Sequence, residues 1–373
     1  MHAEHAIVGV FVALLALACS LAMIPVARWV ARVLGAFDHP GQRKIHKQTT
    51  PRTGGVAVFV AFVGVVVGGY ASLPSLLQAN WLQSHFAGPA GILAMASRVA
   101  GPLFALLIGA GVVFVTGLLD DVLERRFPVW LKVAGQIAAA LIVMASGIGT
   151  VFLPWSWLDH VVTLLWLVGI CNAFNLLDNM DGLSAGVAFV ASGILLANAW
   201  VLGEFFIALI LLAFMGALLG FLVFNFHPAS IFLGDCGSLL IGFVLATITL
   251  LETYITPASS SRVPILMPVL VLALPVMDTF TVMTIRLREG RPVYVGDARH
   301  LSHRLLAIGF SQRQAALFLY LTTMCLGLGA LLLPRAGPRQ TALVVAQAVC
   351  TVILLLVLMF VTRPGSRSGR EGS

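Results

Sequence analysis

Charged residues are scarce in this sequence. Only 10% of its 373 residues are Asp, Glu, Lys or Arg, whereas 60% are hydrophobic and the mean hydropathy is +1.01. A soluble domain carries about 25% charged residues. Long stretches such as residues 53–97, 99–119, 182–203 and 205–234 contain no Asp, Glu, Lys or Arg. Because a bilayer span needs about 20 apolar residues, this scarcity excludes a soluble globule and predicts a membrane protein.

Paired cysteines and a basic amino terminus are also missing. The five cysteines are scattered and mostly lie inside apolar runs; they are Cys19, Cys171, Cys236, Cys325 and Cys350. This set indicates neither a disulfide framework nor a zinc site, and it favours buried side chains that act as small hydrophobic groups. Residues 1–27 contain no Lys or Arg, so we expect no cleaved signal peptide and discount the lipoprotein-like letters around Cys19.

The apolar runs predict an all-α polytopic membrane protein with eleven spanning helices. The predicted spans cover residues 6–27, 54–71, 99–119, 128–146, 160–177, 182–201, 205–224, 237–255, 264–285, 312–333 and 341–362. Residues 72–98 are the longest segment outside a predicted span, with a candidate interfacial helix near Trp81. We expect one integral-membrane domain over residues 1–373, in which residues 365–373 form a disordered cytoplasmic tail.

Lys and Arg residues set the predicted orientation. With the amino terminus outside, 18 of the 22 basic residues fall on the cytoplasmic side, and only Arg98, Arg262, Arg335 and Arg339 lie outside. Cytoplasmic loops of membrane proteins are enriched in Lys and Arg, so this asymmetry supports an odd number of spans and a cytoplasmic carboxyl terminus. The net charge of +7 therefore follows from topology and gives no indication of nucleic-acid binding.

Five aspartates interrupt the apolar sequence at the cytoplasmic ends of predicted spans. They stand in the tracts "LLDDV", "LLDNMDG" and "FLGDCGS" and are Asp120, Asp121, Asp178, Asp181 and Asp235. A single Asp is readily explained as a helix cap. Five acids on one membrane face call for a compensating cation, because intramembrane charge is costly. Carboxylates suit Mg²⁺ or Mn²⁺ rather than zinc, and Mg²⁺ commonly bridges protein carboxylates and substrate phosphates.

Basic residues predicted to lie on the same face suit a phosphate ligand. The tract "RKIHKQTTPRTGG" offers Lys47 and Arg52 beside two glycines, which allow close approach of the backbone. The tract "DARHLSHRL" offers His300, His303 and Arg304, and the guanidinium fork of Arg matches phosphate oxygens. Both tracts therefore strengthen the prediction of a phosphate site.

Lys132 and Gln136 are separated by four residues just after the paired aspartates, so they share one face of a predicted helix. An alternative for Lys132 is that its side chain extends to the membrane interface. Taken together, the residues predict a metal-dependent phosphate site that faces the cytoplasm. Such a site would join a phosphate donor from the cytosol to a lipid acceptor.

The polar tracts resemble the polyprenyl-phosphate N-acetylhexosamine-1-phosphate transferases, which link a UDP-amino-sugar phosphate to a membrane polyprenol phosphate. The resemblance runs from about residue 35 to residue 320. Its motifs, in order, are "KQTTPRTGG", "GLLDDV", "NAFNLLDNMDGLSAG", "FLGDCGSLLIGF", "LPVMDTFTVMTIRLREGRP" and "DARHLSHRLLAIGFSQRQA". Each motif alone is weakly specific, and the ordered set is highly specific.

Two positions depart from the motifs of that family. Asn179 follows Asp178 where the family often has Asp-Gly-x-Asp-Gly, and Ser302 replaces the middle His of His-x-His-His-Arg. A changed sugar preference is expected if that His contacts substrate. The His-Arg ending and the eleven predicted spans favour the branch that starts surface polysaccharides, such as lipopolysaccharide O-antigen, with GlcNAc or a related sugar. The branch that uses the muramyl-pentapeptide nucleotide is the alternative.

The resemblance also implies a reaction. An oxygen of the lipid phosphate attacks the β-phosphorus of a UDP-N-acetylhexosamine and UMP leaves, either in one step or after attack by an Asp. Asp120 and Asp121 orient or deprotonate the lipid phosphate and are, with Asp178, the catalytic candidates. Mg²⁺, or Mn²⁺, is the implied cofactor, held by Asp235 and Asp178.

The other polar residues are implied to bind substrate. Asn172, Asn175 and Asp181 would position the nucleotide or sugar through hydrogen bonds. The candidates for binding the diphosphate are His300, His303 and Arg304, and the further binding candidates are Lys47, Arg52 and Lys132. The expected partners are a UDP-N-acetylhexosamine, polyprenyl (undecaprenyl) phosphate and the membrane, with a homodimer left open and no nucleic acid. The expected location is the bacterial inner membrane.

Three other classes of protein remain as alternatives. A transporter would use the acids as an ion site, although transporter sites usually lie near the bilayer midplane between repeats, and we find no repeat. A CDP-alcohol phosphotransferase is suggested by "DNMDGLSA", but Gly186 stands where its Arg should follow. A lipid-carrier binder without catalytic activity would tolerate Asp235→Asn.

Overall fold

The fold is built from helices, and the computed structural model describes residues 2–39, 49–78, 89–254, 263–292 and 299–361. The helices are α1 (His2–Leu34), α2 (Gly54–Gln78), α3 (Pro89–Leu123), α4 (Val129–Ala145), α5 (Ser156–Leu177), α6 (Leu183–Leu202), α7 (Phe205–Asn225), α8 (Gly234–Leu251), α9 (Met267–Val271), α10 (Ala273–Arg288), α11 (Leu301–Ala307), α12 (Gln312–Ala330) and α13 (Pro338–Val361). Short 3₁₀ turns cover Glu124–Arg126, Val263–Leu266 and Leu333–Arg335. Strands β1 (Phe37–Asp38) and β2 (Thr50–Pro51) pair antiparallel.

Nine helices in the described residues are long and apolar enough to cross a membrane, and they are α1, α2, α3, α5, α6, α7, α8, α12 and α13. Helix α4 is also apolar but has only 17 residues. The prediction of an all-α polytopic membrane protein is therefore confirmed. The count of eleven spans and the outward amino terminus stay predictions.

The ninth predicted span, residues 264–285, is broken in the structure. A 3₁₀ turn leads into the short helix α9, and α10 begins only after Leu272, which has non-helical backbone angles. Pro268 and Pro275 explain the break, because proline lacks the N–H of a helical hydrogen bond and crowds the preceding turn. Helix α10 thus starts as a separate element whose other end lies near the predicted site.

The segment between the second and third predicted spans is shorter than expected. Helix α2 continues to Gln78 and α3 already begins at Pro89, so much of the predicted loop 72–98 is helical. The expected interfacial helix near Trp81 lies outside the described residues. Apolar helices continue past the minimum length of a span because every further turn adds backbone hydrogen bonds at little cost.

Helix α8 lies at the centre of the bundle. Fifteen of its 18 residues are buried, and it packs against α2, α3, α5 and α6. A helix that is apolar on all sides is typical of a buried core position, and α8 has this composition beyond its first turn. Asp235 is the second residue of α8, so the most central helix places a carboxylate in the middle of one end of the bundle. We call this end the site face.

The β1–β2 ribbon connects α1 to α2 and contacts the loop before α8. The backbone N–H of Phe232 donates to the carbonyl of Pro51 at 2.8 Å, and the N–H of Gly54 donates back to Phe232 at 2.9 Å. These bonds bring Arg52 next to the start of α8. The ribbon therefore places the guanidinium group of Arg52 at the site face.

Two glycines allow the backbones at the site face to come into contact. A side chain at Gly117 of α3 would collide with the backbone of Asp235. Gly234 has φ +75°, and a side chain there would collide with the carbonyl of Arg52. Only glycine combines this left-handed conformation with so close an approach. In the "LGD" of the fourth motif, Gly234 is therefore required for close packing of the backbones, and Asp235 supplies the carboxylate.

Candidate functional site

Helix ends bring the five predicted aspartates to the site face. Asp120 and Asp121 lie in the last turn of α3, Asp178 and Asp181 lie in the connection from α5 to α6, and Asp235 begins α8. Helices α3 and α5 both pack against α8. The tracts that are far apart in the sequence therefore meet at one end of the bundle.

Lys132 joins these acids into one cluster. Its Nζ lies 2.6 Å from Oδ2 of Asp235, 2.8 Å from Oδ2 of Asp120 and 3.1 Å from Oδ1 of Asn175. The Lys132 side chain is only 15% exposed, so it faces inward and does not extend to the membrane interface. One partly buried ammonium therefore balances two carboxylates, and we call Lys132, Asp120, Asp235 and Asn175 the junction.

The asparagines of the α5 signature hold the junction in place. Nδ2 of Asn175 donates to Oδ1 of Asp235 at 2.8 Å and lies 2.9 Å from Oγ of Ser238. One turn earlier, Nδ2 of Asn172 donates to Oε1 of Gln136 at 2.6 Å. Lys132 and Gln136 thus meet Asn175 and Asn172 along one seam between α4 and α5. The sequence predicted that Lys132 and Gln136 share a face, and the structure shows which residues that face contacts.

The two adjacent aspartates of α3 have different surroundings. Asp121 is fully buried, and its two oxygens accept the backbone N–H groups of Asp235 and Cys236 at 2.9 Å each. Arg52 approaches the same carboxylate at 3.4 Å. Asp121 therefore caps the start of α8, which needs acceptors for its free N–H groups and favours negative charge. Its predicted catalytic role stays a prediction, and these contacts favour a positioning role.

We expect Asp121→Asn to lower the stability of the protein. An amide offers one acceptor oxygen to two N–H donors, and a buried donor left unpaired costs about 1–3 kcal/mol. Thermal unfolding of the detergent-purified protein should show a lower midpoint, whereas Glu289→Gln, an exposed ion-paired acid on the same face, should leave it unchanged. An unchanged midpoint with lost activity would instead assign Asp121 to the chemistry.

A polar cavity of about 250 Å³ opens beside the junction. Its charged and polar lining comprises Asp38, Arg52, Asp178, Asn179, Asp181, Asn225, Asp235, His303 and Gln312. Burial opposes the charge of Arg52, but Asp121 and other nearby carboxylates outweigh it and raise its pKa. Burial also raises the pKa of Asp178 well above its ordinary value, and the charge of Asp235 adds to this rise. The cavity therefore brings together carboxyl groups whose ionised forms an added cation would favour.

The loop between α7 and α8 holds one wall of the polar cavity. Oδ2 of Asp181 contacts Nδ1 of His227 at 2.7 Å and accepts the N–H of Ala229 at 3.1 Å. Buried Asn225 accepts the N–H of Gly182 at 3.0 Å and donates to a carbonyl of the same loop. Sequence analysis missed Asn225. Its signal was a lone amide at the end of an otherwise apolar span.

An apolar groove of about 840 Å³ lies on the other side of the junction. It runs between α4, α5 and α10, with side chains such as Trp166, Phe280 and Met283 along its walls. The groove also reaches Asp120, Lys132, Asn172 and Asn175. A long apolar space thus meets a polar cavity at a single ion-paired cluster.

The predicted residues of the last motif do not all face the polar cavity. His303 lines it, whereas His300 is buried and its Nδ1 lies 2.7 Å from Oδ2 of Asp278. Arg304 is also buried and donates to the carbonyls of Arg299 and Met359. Direct binding of diphosphate by His300 and Arg304 stays a prediction, and their contacts favour support of α11. Lys47 lies outside the described residues.

The residues of the cavity fit a cation that is shared with a substrate. Within the described ranges there is no group of three or more His, Cys, Asp or Glu residues arranged to hold a metal. Asp178 and Asp235 nevertheless line one cavity, and the Asp178 carboxylate accepts no hydrogen bond from the described residues, so its oxygens are available. Mg²⁺ is commonly bound by one or two carboxylates together with substrate phosphates. The roles of Asp178 and Asp235 as metal ligands stay predictions.

Three relatives are similar to this chain over most of its length. A probable undecaprenyl-phosphate N-acetylglucosaminyl 1-phosphate transferase of Bacillus subtilis (strain 168) is 32% identical over 85% of this chain and 82% of its own. A decaprenyl-phosphate N-acetylglucosaminephosphotransferase of Mycobacterium tuberculosis (strain H37Rv) is 33% identical over 88% of this chain and 84% of its own length. An undecaprenyl-phosphate alpha-N-acetylglucosaminyl 1-phosphate transferase of Escherichia coli (strain K12) is 30% identical over 80% of this chain and 77% of its own length.

The family model of glycosyl transferase family 4 matches residues 103–253. This range holds the junction, Asp121 and the acidic loop from Asp178 to Asp181. The similarity to the three relatives extends well beyond it and covers more than three quarters of each of them.

Proposed function

Because the chain belongs to glycosyl transferase family 4, we propose that it transfers N-acetylglucosamine 1-phosphate from UDP-N-acetylglucosamine to polyprenyl phosphate in the bacterial inner membrane. UMP would be the second product, and the lipid-linked sugar would begin a cell-surface polysaccharide. The names of the three relatives support the sugar and the lipid. The observation that carries the proposal is the meeting of a polar cavity and an apolar groove at the junction.

The two spaces suit two substrates of opposite character. A polyprenyl chain is a hydrocarbon and fits a groove walled by α4, α5 and α10, whereas a nucleotide diphosphate needs a polar, hydrated cavity. Ligand sites commonly combine an apolar surface with a few convergent polar groups. Among the described residues, Asp120 and Lys132 are the charged ones on the groove lining, so a lipid phosphate seated there would lie at the junction.

Lys132 would neutralise the lipid phosphate, and Asp120 would orient it. Phosphoryl transfer depends mainly on positioning and charge neutralisation. A phosphomonoester has its second pKa near 6, so most of the lipid phosphate is already dianionic at neutral pH and a strong base is not required. Attack would then occur on the β-phosphorus of the sugar nucleotide across the junction.

The polar cavity would hold the sugar nucleotide. Arg52 and His303 would contact the diphosphate, while Asn179 and Asp181 line the wall next to the sugar or nucleotide. Mg²⁺ bound by Asp178 and Asp235 would supply the positive charge that a diphosphate in this acidic cavity needs. Asn225 and His227 would keep the acidic loop in place.

The direct test is UMP release by the purified protein. The substrates are a panel of UDP-sugars and the muramyl-pentapeptide nucleotide, each offered with undecaprenyl phosphate, with and without Mg²⁺. We expect release that requires the lipid and the metal and is fastest with UDP-N-acetylglucosamine. Release with the muramyl-pentapeptide nucleotide alone would assign the chain to the other branch, and no release with any donor would contradict the proposal.

We expect Gly169→Leu to weaken binding of the lipid substrate selectively. Gly169 lies on α5 in the wall of the groove, and a Cβ added there meets no atom within 4 Å, so we expect the leucine side chain to extend into the groove and leave the fold intact. The KM for polyprenyl phosphate should rise about tenfold, equivalent to about 1.4 kcal/mol, with the KM for UDP-N-acetylglucosamine unchanged. Gly64→Leu, at an open position on α2, is the matched control. Equal effects on both KM values would contradict the lipid assignment.

A further inference from the structure

Three consecutive residues at the start of α11 are tied to two aspects of the surrounding structure, Asp278 of α10 and Asn179 of the acidic loop. Nδ1 of His300 lies 2.7 Å from Oδ2 of Asp278, and the backbone N–H of Leu301 donates to the other oxygen of Asp278 at 2.8 Å. Oγ of Ser302 donates to Oδ1 of Asn179 at 2.5 Å. The next residue, His303, faces the polar cavity.

The Ser302 contact is the one that reaches the acidic loop. Asn179 stands directly after Asp178, and its Nδ2 donates to the carbonyl of Leu176 at 2.9 Å. Both ends of the Asn179 amide are therefore engaged, one with the end of α5 and the other with α11. Ser302 is 1% exposed, so its hydroxyl is shielded from bulk solvent on the side of α11. The pair joins two segments that line the cavity, the acidic loop and α11, over a sequence separation of 123 residues.

We propose that Asn179 and Ser302 form a clasp that fixes His303 relative to Asp178 and so positions the diphosphate of the donor. This inference rests on the proposed function, and it assigns both residues a positioning role. A bond between neighbours of Asp178 and His303 sets the spacing of those two groups across the cavity. Errors of about 1 Å in such spacing have large effects on rate.

The composition of the pair agrees with a shared role. Asn179 and Ser302 are the two positions at which the sequence departs from the motifs it resembles, where Gly and His are expected. Asn plus Ser carry as many non-hydrogen side-chain atoms as Gly plus His. Because packed interiors tolerate changes that conserve volume better than changes that do not, we infer that the two departures compensate each other.

Single replacements of Asn179 or Ser302 should slow transfer from the sugar nucleotide without weakening binding of the lipid substrate. Ser302→Ala and Asn179→Gly each remove the bond, and we expect kcat with UDP-N-acetylglucosamine to fall about tenfold while the KM for polyprenyl phosphate is unchanged. Ser20→Ala is the matched control, since buried Ser20 donates to the carbonyl of Ala217 between α1 and α7, away from the cavity. It should affect thermal stability without changing either kinetic constant.

The reciprocal exchange tests compensation directly. Ser302→His alone should lower kcat further than Ser302→Ala, because the imidazole would collide with Asn179. The double variant Asn179→Gly with Ser302→His should recover kcat to within about threefold of the wild type, because it restores the volume. A double variant no better than Ser302→His, or a Ser302→Ala variant as active as Ser20→Ala, would overturn the proposal.

The hydrogen bond itself is tested without any assay of transfer. In a double-mutant cycle of Asn179→Gly and Ser302→Ala, the shifts in the thermal unfolding midpoint should be markedly non-additive, because both changes remove the same contact. Additive shifts would contradict the clasp. A wild-type protein that transfers nothing to polyprenyl phosphate would contradict the proposed function, and this cycle would still decide whether the two walls are joined.

Discussion

Replacing Lys132 with methionine should reduce transfer by about 10²–10³-fold. The variant keeps the length of the side chain and removes the one ammonium that Asp120, Asp235 and Asn175 share. Removing one preorganised group that stabilises charge in the transition state typically costs about 2.7–4 kcal/mol in the barrier, and each 1.36 kcal/mol in the barrier is a tenfold change in rate. The lipid phosphate would also meet two carboxylates without a neutralising charge. UMP release at saturating substrate measures the loss.

Arg288→Met controls for removal of a basic residue from the same end of the bundle. Arg288 is the exposed last residue of α10 and lines neither space, so we expect near wild-type transfer. Lys132→Met with wild-type activity would show that the junction does not contact the reacting groups. Loss of folded protein in the variant would be recognised by size-exclusion chromatography and thermal unfolding.

Asp235→Asn should reduce kcat by about 10³-fold, which is at least as large as the loss expected for Lys132→Met. The amide keeps the shape of the carboxylate but loses the charge that Lys132 balances at 2.6 Å. It also places an NH₂ group against either Lys132 or Asn175, whose Nδ2 now donates to Oδ1 of Asp235. If Asp235 helps to bind Mg²⁺, raising the Mg²⁺ concentration should restore only part of the activity.

Glu289→Gln is the matched control for Asp235→Asn. Glu289 is an ion-paired acid next to Arg291 and Arg299 and lies outside both spaces, so its amide variant should keep most of the activity. A fully active Asp235→Asn variant would favour a lipid-carrier binder without catalytic activity. Retained lipid binding with lost UMP release would support a direct role of Asp235 in the reaction.

The sequence predicted which residues lie together at the site, because a charged residue inside an apolar membrane segment is costly and is kept only where it has a partner or a function. Asp120, Asp178 and Asp235 each interrupt a long uncharged run, and the positive-inside pattern assigned them all to one membrane face. Lys132 and Gln136 were assigned to one helix face by their spacing alone. These inferences depend on local composition and helical period, which a sequence displays directly.

The partners of these residues depend on packing and could not be predicted in the same way. The paired aspartates have the same local sequence, yet Asp121 caps α8 while Asp120 faces Lys132. That difference arises from where the backbone of α8 crosses α3, at a contact made through Gly117. Asn225 and Asp278 likewise act through bonds to residues far away in the sequence. The break before α10 could have been anticipated from its prolines.

The central claim is that a sugar phosphate, and not the sugar alone, passes to the lipid at the junction. The most direct measurement uses UDP-N-acetylglucosamine labelled with ³²P in the β-phosphate, together with undecaprenyl phosphate and the purified wild-type protein. We predict that the label enters the organic phase in a lipid-linked product and that the UMP released carries none. Label that stays in the aqueous phase while the sugar enters the lipid, or no lipid product at all, would contradict the account.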